Sequence, residues 1–343
     1  MLPKERILAV LEGKTPDYVP LFPKISYASS QFVPGMSVLD YMTDYHAMAE
    51  ALLTSAERFA YDAVGITTDI ANEGMALGSR YERSKNAPSR LVEHLLESVE
   101  EYEKIPMPDP YEVEPCRTIL RAAEDLRRQA GDRLFITAWC NGPLNVATQL
   151  MPMDELLCSM IADPENLHEV LRRCTAFTCR YAQALVEAGA DAVSFGHANA
   201  SCTVISPASY EEFALPYEKQ IVDAIHQAGG AAITHICGNV MSIAELIRQN
   251  GSEIIDCDHM CDLSAMLEST GRVIRGNLDP ALLANGTPEE VYDAACAALR
   301  EAKSSGRFIL GSGCEVNLGT PAENMQAMAA ARMDHGQYEG ETE

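Results

Sequence analysis

The chain is expected to fold as a (β/α)8 barrel, an α/β architecture of parallel strands each followed by a helix. Three observations predict it. Short β-rich runs recur along the whole chain, helical-period segments lie between them, and Gly or Pro punctuates the joins. Alternation of this kind implies parallel strands linked by crossover helices. Eight such runs favour a closed barrel over a doubly wound sheet. Two mononucleotide-binding halves are the alternative, weakened because no Gly-x-Gly-x-x-Gly follows the early strands.

The elements follow in order. Residues 1–14 carry charges through their apolar positions, which excludes a signal peptide. The first β-rich run is 18–25, followed by a helical segment at 45–59 and a second run at 61–66. A helix at 115–129 precedes the third run, 133–138. The helix at 163–188 opens on Asp163-Pro164-Glu165, a cap residue, a proline and an acid, and stops at Gly189 before the fourth run, 191–195. Segment 209–228 stops at Gly229-Gly230 before the fifth run, 231–235. A helix at 242–249 leads to the sixth run, 252–256, and the seventh follows at 272–276. Thr287-Pro288-Glu289-Glu290 starts the helix at 288–302, ahead of the eighth run, 307–311. There is no sequence repeat and no low-complexity linker. A single barrel domain is therefore expected over 1–343, with an N-terminal helical extension and a frayed tail at 337–343.

Composition narrows function. Of 343 residues, 47% are apolar, enough to bury a core and to exclude disorder. No stretch approaches the ~20 apolar residues of a membrane helix. A formal net charge of −24 argues against nucleic acid, since phosphate binding needs a basic face. Eleven cysteines, an odd number at irregular spacing, read as reduced thiols in a cytoplasmic protein.

In such barrels the chemistry sits at the C-terminal ends of the strands. Polar residues there are Asp69 and Glu73, His197 and Asn199, His235 and Cys237, Asp256, Asp258 and His259, Asn277 and Asp279, and Cys314 and Glu315. His235 and Cys237, two positions apart on a strand continuation, can project to one side. Imidazole and thiolate are ordinary zinc ligands, and Cys314 in Gly-Ser-Gly-Cys314-Glu315 adds a thiol from another strand end. Three protein ligands with an open position is the catalytic zinc arrangement, while Cys257 and Cys261 could supply a fourth for a closed site. On pattern alone, a lone His-x-Cys is more often a buried pair than a ligand set.

Further motifs carry a resemblance. Lys4-Glu5-Arg6-Ile7-Leu8, Gly13-Lys14-Thr15-Pro16-Asp17-Tyr18-Val19-Pro20, Gly276-Asn277-Leu278-Asp279-Pro280 and Thr320-Pro321-Ala322-Glu323-Asn324-Met325 together resemble the uroporphyrinogen decarboxylase superfamily along almost the whole chain. That family is a (β/α)8 barrel. Within it, His235-x-Cys237 … Cys314 resembles the zinc methyltransferase branch, which includes the methylcobamide:coenzyme M methyltransferases and bacterial relatives acting with tetrahydrofolate. The decarboxylases instead hold substrate carboxylates with an arginine-rich segment after the first strand. Here residues 22–30 contain no arginine, so porphyrinogen decarboxylation is not expected. The sequence departs from the branch at His197 and at Glu315.

The resemblance implies a zinc ion on His235, Cys237 and Cys314, and a methylcorrinoid supplied by a partner protein, because no Asp-x-His-x-x-Gly cobalamin segment is present. The expected partners are that corrinoid protein, a small methyl acceptor or donor (a thiol, tetrahydrofolate or a methylated compound) and a second copy in a homodimer. Asp69, Glu73 and His197 are the candidate catalytic residues, the two acids as handlers of the N5 proton of a folate. Asn277 and Asp258 are the candidates for contact with the corrinoid. Donor-side demethylation onto cob(I)alamin and a non-catalytic metal- or corrinoid-binding barrel are the alternatives.

Overall fold

The structure, a computed structural model, describes residues 1–338. Seven parallel strands form one curled sheet in chain order: β1 (Ala63–Ile66), β4 (Phe135–Asn141), β5 (Ala192–Gly196), β6 (Ala231–His235), β7 (Ile254–Cys257), β8 (Val273–Leu278) and β9 (Phe308–Ser312). The missing stave is the run expected at 18–25. Phe22 N donates to Leu310 O at 2.8 Å, Leu310 N to Pro20 O at 2.9 Å, and Asp62 N to Leu21 O at 2.8 Å, so this segment joins β9 to the residue before β1 and closes the ring. Its pairing with β9 is a single bridge, Leu21 to Leu310, because Pro20 and Pro23 have no N–H for a ladder.

One buried apolar residue from every strand meets at the lower end of the barrel, among them Phe135, Ile233, Ile254 and Ile309. The helix Pro3–Leu11 places Ile7 and Val10 in the same cluster. That end is a plug, which leaves the opposite end for chemistry. A much larger core lies between the strands and the outer helices, including Pro164–Glu187, Leu215–Gln227 and Pro288–Ala302.

Several expected bounds shift. The third run continues through Trp139 to Asn141, and all seven of its residues are buried. The helix expected at 209–228 breaks at Ala214 into Pro207–Phe213 and Leu215–Gln227, because Pro216 cannot donate to the preceding turn. Only Ala244–Arg248 of the 242–249 segment is α-helical, behind a 3-10 turn at Met241–Ile243. An antiparallel hairpin of β2 (Arg80–Ser84) and β3 (Ala87–Glu93) was not foreseen. In the expected frayed tail, Gln337 bridges Tyr18 and Tyr338 N bonds Asp17 O at 3.0 Å, while 339–343 lie outside the described residues. Among the described residues no helix is long and apolar enough to cross a membrane.

Candidate metal centre

β6 ends at His235, and the chain runs on through Ile236 to Cys237. β9 delivers Cys314 two residues past its end. The structure brings the three side chains together. His235 Nε2 is 3.2 Å from Cys237 Sγ and 3.6 Å from Cys314 Sγ, and the two sulfurs are 3.7 Å apart. Tetrahedral zinc bonds of about 2.0 Å to nitrogen and 2.3 Å to sulfur put N and S about 3.5 Å apart, and two sulfurs about 3.8 Å apart. The triangle therefore fits that ion in size as well as donor type. Among the described residues no fourth His, Cys, Asp or Glu joins it. Cys257 and Cys261 lie elsewhere, buried, with Cys261 Sγ 3.4 Å from Gly238 O.

The imidazole is held from behind. His235 Nδ1 donates to Asp256 Oδ2 at 2.9 Å, which leaves the Nε2 lone pair facing the two sulfurs. Asp256 in turn takes a bidentate pair from Arg275, at 2.7 and 2.6 Å. Burial raises the Asp256 carboxyl, but the Arg275 charge and the hydrogen bonds overcome it and hold the group well below the ordinary carboxylate range. Within the triangle the hydrogen bond from Cys237 lowers Cys314 against the opposing effect of burial, with His235 and Lys24 assisting, while Cys237 is pushed up.

Above the triangle opens a cavity of about 240 Å3 lined by Lys24, Trp139, Asp69, Asn145 and Glu315 among others. The Lys24 ammonium lies 3.8 Å from the centre of the Trp139 ring, and among the described residues no carboxylate is within ion-pairing distance. Trp139 reaches this position because Gly196 faces it: a Cβ there would sit 1.9 Å from the indole. Glu315 Oε1 accepts from Ser26 N at 2.7 Å and Ser26 Oγ at 2.6 Å, which ties the segment after the closing stave to the one bearing Cys314.

The remaining candidates sit differently. Asp69 lines the cavity, but its two oxygens accept from Ala71 N at 2.9 Å and Ser89 N at 2.8 Å, so it latches the β2–β3 hairpin rather than presenting a free base. His197 is fully buried, bonded through Nδ1 to Glu218 at 2.8 Å and packed against Gly142, and it does not line the cavity. Asp258 accepts from Gly238 N at 2.8 Å and Met260 N at 3.0 Å, and Asn277 donates to Cys261 O at 3.2 Å. Both side chains order the loops at the barrel mouth, and neither lines the cavity. Glu73 is fully buried beneath the cavity wall, where it accepts from Asn141.

Burial raises the Glu73 carboxyl to about 7, against the lowering by the Asn141 hydrogen bonds. The folded chain therefore keeps a proton that the unfolded chain releases near the ordinary glutamate value. This stabilisation is complete below about pH 4.5 and is lost as pH rises through 7. Denaturant unfolding should lose about 2.5 kcal/mol between pH 5 and 8 from this group. Glu73→Gln should flatten that slope, and an unchanged slope would place the titration elsewhere.

Sequence reasoning missed Lys24, Trp139, Asn145 and Arg275. Trp139 is the single tryptophan of the chain, which could have flagged it.

A model of the uroporphyrinogen decarboxylase (URO-D) family matches residues 2–335. The methylcobamide:CoM methyltransferase MtbA of Methanosarcina acetivorans is 31% identical over 337 residues, covering 95% of this chain and 96% of that protein. A methylated-thiol–coenzyme M methyltransferase of Methanosarcina mazei is 28% identical, covering 96% and 89%. A solved methyltransferase from Methanosarcina mazei superposes with a TM-score of 0.89 at 25% identity, over 97% of this chain and 99% of that one.

Proposed function

Because the chain belongs to the uroporphyrinogen decarboxylase family, we propose that it is a methyltransferase of that family, passing a methyl group from a corrinoid on a partner protein to a small thiol. The observation that carries the proposal is the His235–Cys237–Cys314 triangle opening onto a cavity at the barrel mouth. The similarity to methylcobamide:CoM methyltransferases supports the corrinoid and the thiol. A cavity of about 240 Å3 suits a short thiol better than a tetrahydrofolate. Asp69, with both oxygens taken by backbone N–H groups, is a poor handler of a folate proton. Among the described residues Lys24 is the one cation on the cavity wall, too little charge for a porphyrinogen with its many carboxylates.

His235, Cys237 and Cys314 would hold zinc. When bound there, the ion supplies the Lewis acidity that keeps an incoming thiol deprotonated, and only the thiolate attacks a methyl group well. Two cysteinate ligands keep that sulfur electron-rich. Asp256 fixes the His235 tautomer, and Trp139 walls off water beside the imidazole, its ring centre 5.8 Å away. Lys24 offers its ammonium to an anionic thiol tail. Exposed Ile70, Met260 and Leu318, on the loops after β1, β7 and β9, give the mouth an apolar rim for a flat macrocycle presented from outside.

A second arrangement, in which a methylated thiol gives its methyl group to cob(I)alamin at the same cavity, is favoured by the similarity to the methylated-thiol enzyme. The test is loss of methylcob(III)alamin absorbance with zinc-loaded protein and 2-mercaptoethanesulfonate, 3-mercaptopropionate or tetrahydrofolate. Thiol-dependent demethylation at least ~10²-fold over the protein-free rate is expected. Turnover with tetrahydrofolate alone, or with no acceptor, would overturn the thiol assignment. Methylation of cob(I)alamin by 2-(methylthio)ethanesulfonate without the forward reaction would select the second arrangement.

A further inference from the structure

A string of amides runs from the buried carboxylate of Glu73 to the cavity wall. Asn141 donates to Glu73 twice, from its backbone N at 2.7 Å and from Nδ2 at 2.5 Å, and the other Nδ2 hydrogen goes to Ile70 O at 3.0 Å. Asn145 Nδ2 donates to Asn141 Oδ1 at 3.1 Å. Asn145 Oδ1 accepts from Asn199 Nδ2 at 2.9 Å and Asn199 N at 3.3 Å. Glu73 and Asn141 are fully buried and Asn145 is 5% exposed.

Two acceptors set the polarity of this string. The Ile70 carbonyl always accepts and the Glu73 carboxylate accepts once ionised, so Asn141 turns its NH2 toward them and its oxygen toward Asn145. Asn145 must then turn its NH2 toward Asn141 and its oxygen toward Asn199. Reversing any amide would set donor against donor or oxygen against oxygen in a buried place, where unmade hydrogen bonds are costly. An amide nitrogen has two hydrogens. Asn145 uses one on Asn141, and the other has no acceptor among the described residues. Asn145 lines the same cavity as Cys237, Cys314 and Lys24.

We propose that Asn145 reads an oxygen on the tail of the methyl acceptor, a carboxylate or sulfonate oxygen, and that Glu73 is the positioning residue that aims it through Asn141. The proposal rests on the thiol-acceptor reading above. It makes the cavity selective for thiols that carry an oxyanion a short distance from sulfur, with the Asn145 N–H and the Lys24 ammonium as the two donors.

The test compares 2-mercaptoethanesulfonate with ethanethiol, which lacks any oxygen, as methyl acceptors and as ligands in calorimetry of the zinc-loaded full chain. Asn145→Ala is expected to lower the kcat/KM preference for the sulfonate about tenfold, through KM, and to weaken its binding by a similar factor. Above pH 7, where Glu73 is ionised, Glu73→Gln keeps the volume but adds a donor facing Asn141, and it should lower the preference comparably with zinc content intact. The double variant should be no worse than Asn145→Ala alone, because both changes remove one interaction. If Glu73→Gln does not fold, Asn141→Ala breaks the same string and carries the same expectation. An Asn145→Ala protein that keeps the wild-type preference, or losses that add in the double variant, would overturn the proposal. Wild-type protein that binds the sulfonate but moves no methyl group would sink the methyltransferase reading while leaving the Asn145 contact to be judged by calorimetry.

Discussion

Cys314→Ala protein is expected to lose its zinc, from about one ion per chain to a small fraction of that by elemental analysis, and with it about 10³-fold of thiol methylation. The triangle draws two ligands from the end of β6 and one from beyond β9. Removing Cys314 leaves His235 and Cys237 alone, and no other His, Cys, Asp or Glu among the described residues is placed to replace it. The rate loss has two parts. A free thiol is only a few per cent thiolate at neutral pH, which costs roughly 30-fold. Loss of a fixed position for the sulfur beside the incoming methyl group accounts for a further ~30-fold or more. Retention of a full zinc complement in the variant would refute a site joining the two strand ends.

Asp256→Ala is expected to act on stability and on the metal together. Arg275 is 2% exposed and directs two of its N–H groups at Asp256. Without the carboxylate its charge stays buried and unpaired, which costs about 3–5 kcal/mol. His235 loses the acceptor that fixes its tautomer, and zinc affinity should fall ~10–100-fold. Chemical denaturation and competition with a zinc chelator read the two effects separately. Unaltered zinc affinity in a folded variant would show that β6 geometry alone orients the imidazole. Adding Arg275→Met should recover much of the stability and none of the affinity, since it removes the stranded charge without restoring the acceptor.

The barrel was legible because alternation and helix punctuation are local properties. The helix 288–302 has its cap, proline and first-turn acids within four residues, and the structure returns Pro288–Ala302. The break at Ala214 depends on a single Pro216 inside an otherwise continuous helical period, so periodicity read across it. The β2–β3 hairpin escaped because its strands alternate between exposed and half-buried positions and never form an apolar run. At the site, His235, Cys237 and Cys314 stood out by chemistry and by their places at strand ends. Asp69 and Glu73 also stood at a strand end, but backbone N–H groups and Asn141 claim them, and such partners lie far away in sequence. Lys24 and Trp139 became visible only when the ring closed and set one over the other.

That closure has a consequence for how the molecule assembles. The stave at 20–22 bonds residues near 310, and Tyr18 pairs with Gln337. Lys24 N bonds Ser312 Oγ across 288 positions. On the ribosome the first stave can meet the start of β1 early, but its other side therefore waits until residues near 310 have emerged. Until then the sheet has two open edges, at the stave and at the growing end, each able to recruit another chain. Closing a loop of this length costs only a few kcal/mol of chain entropy, because that cost grows logarithmically. It is recovered all at once, when β9, the stave and the helix Ala322–His335 dock together. A chain cut before β9 should thus fail as a whole, remaining an open sheet prone to association.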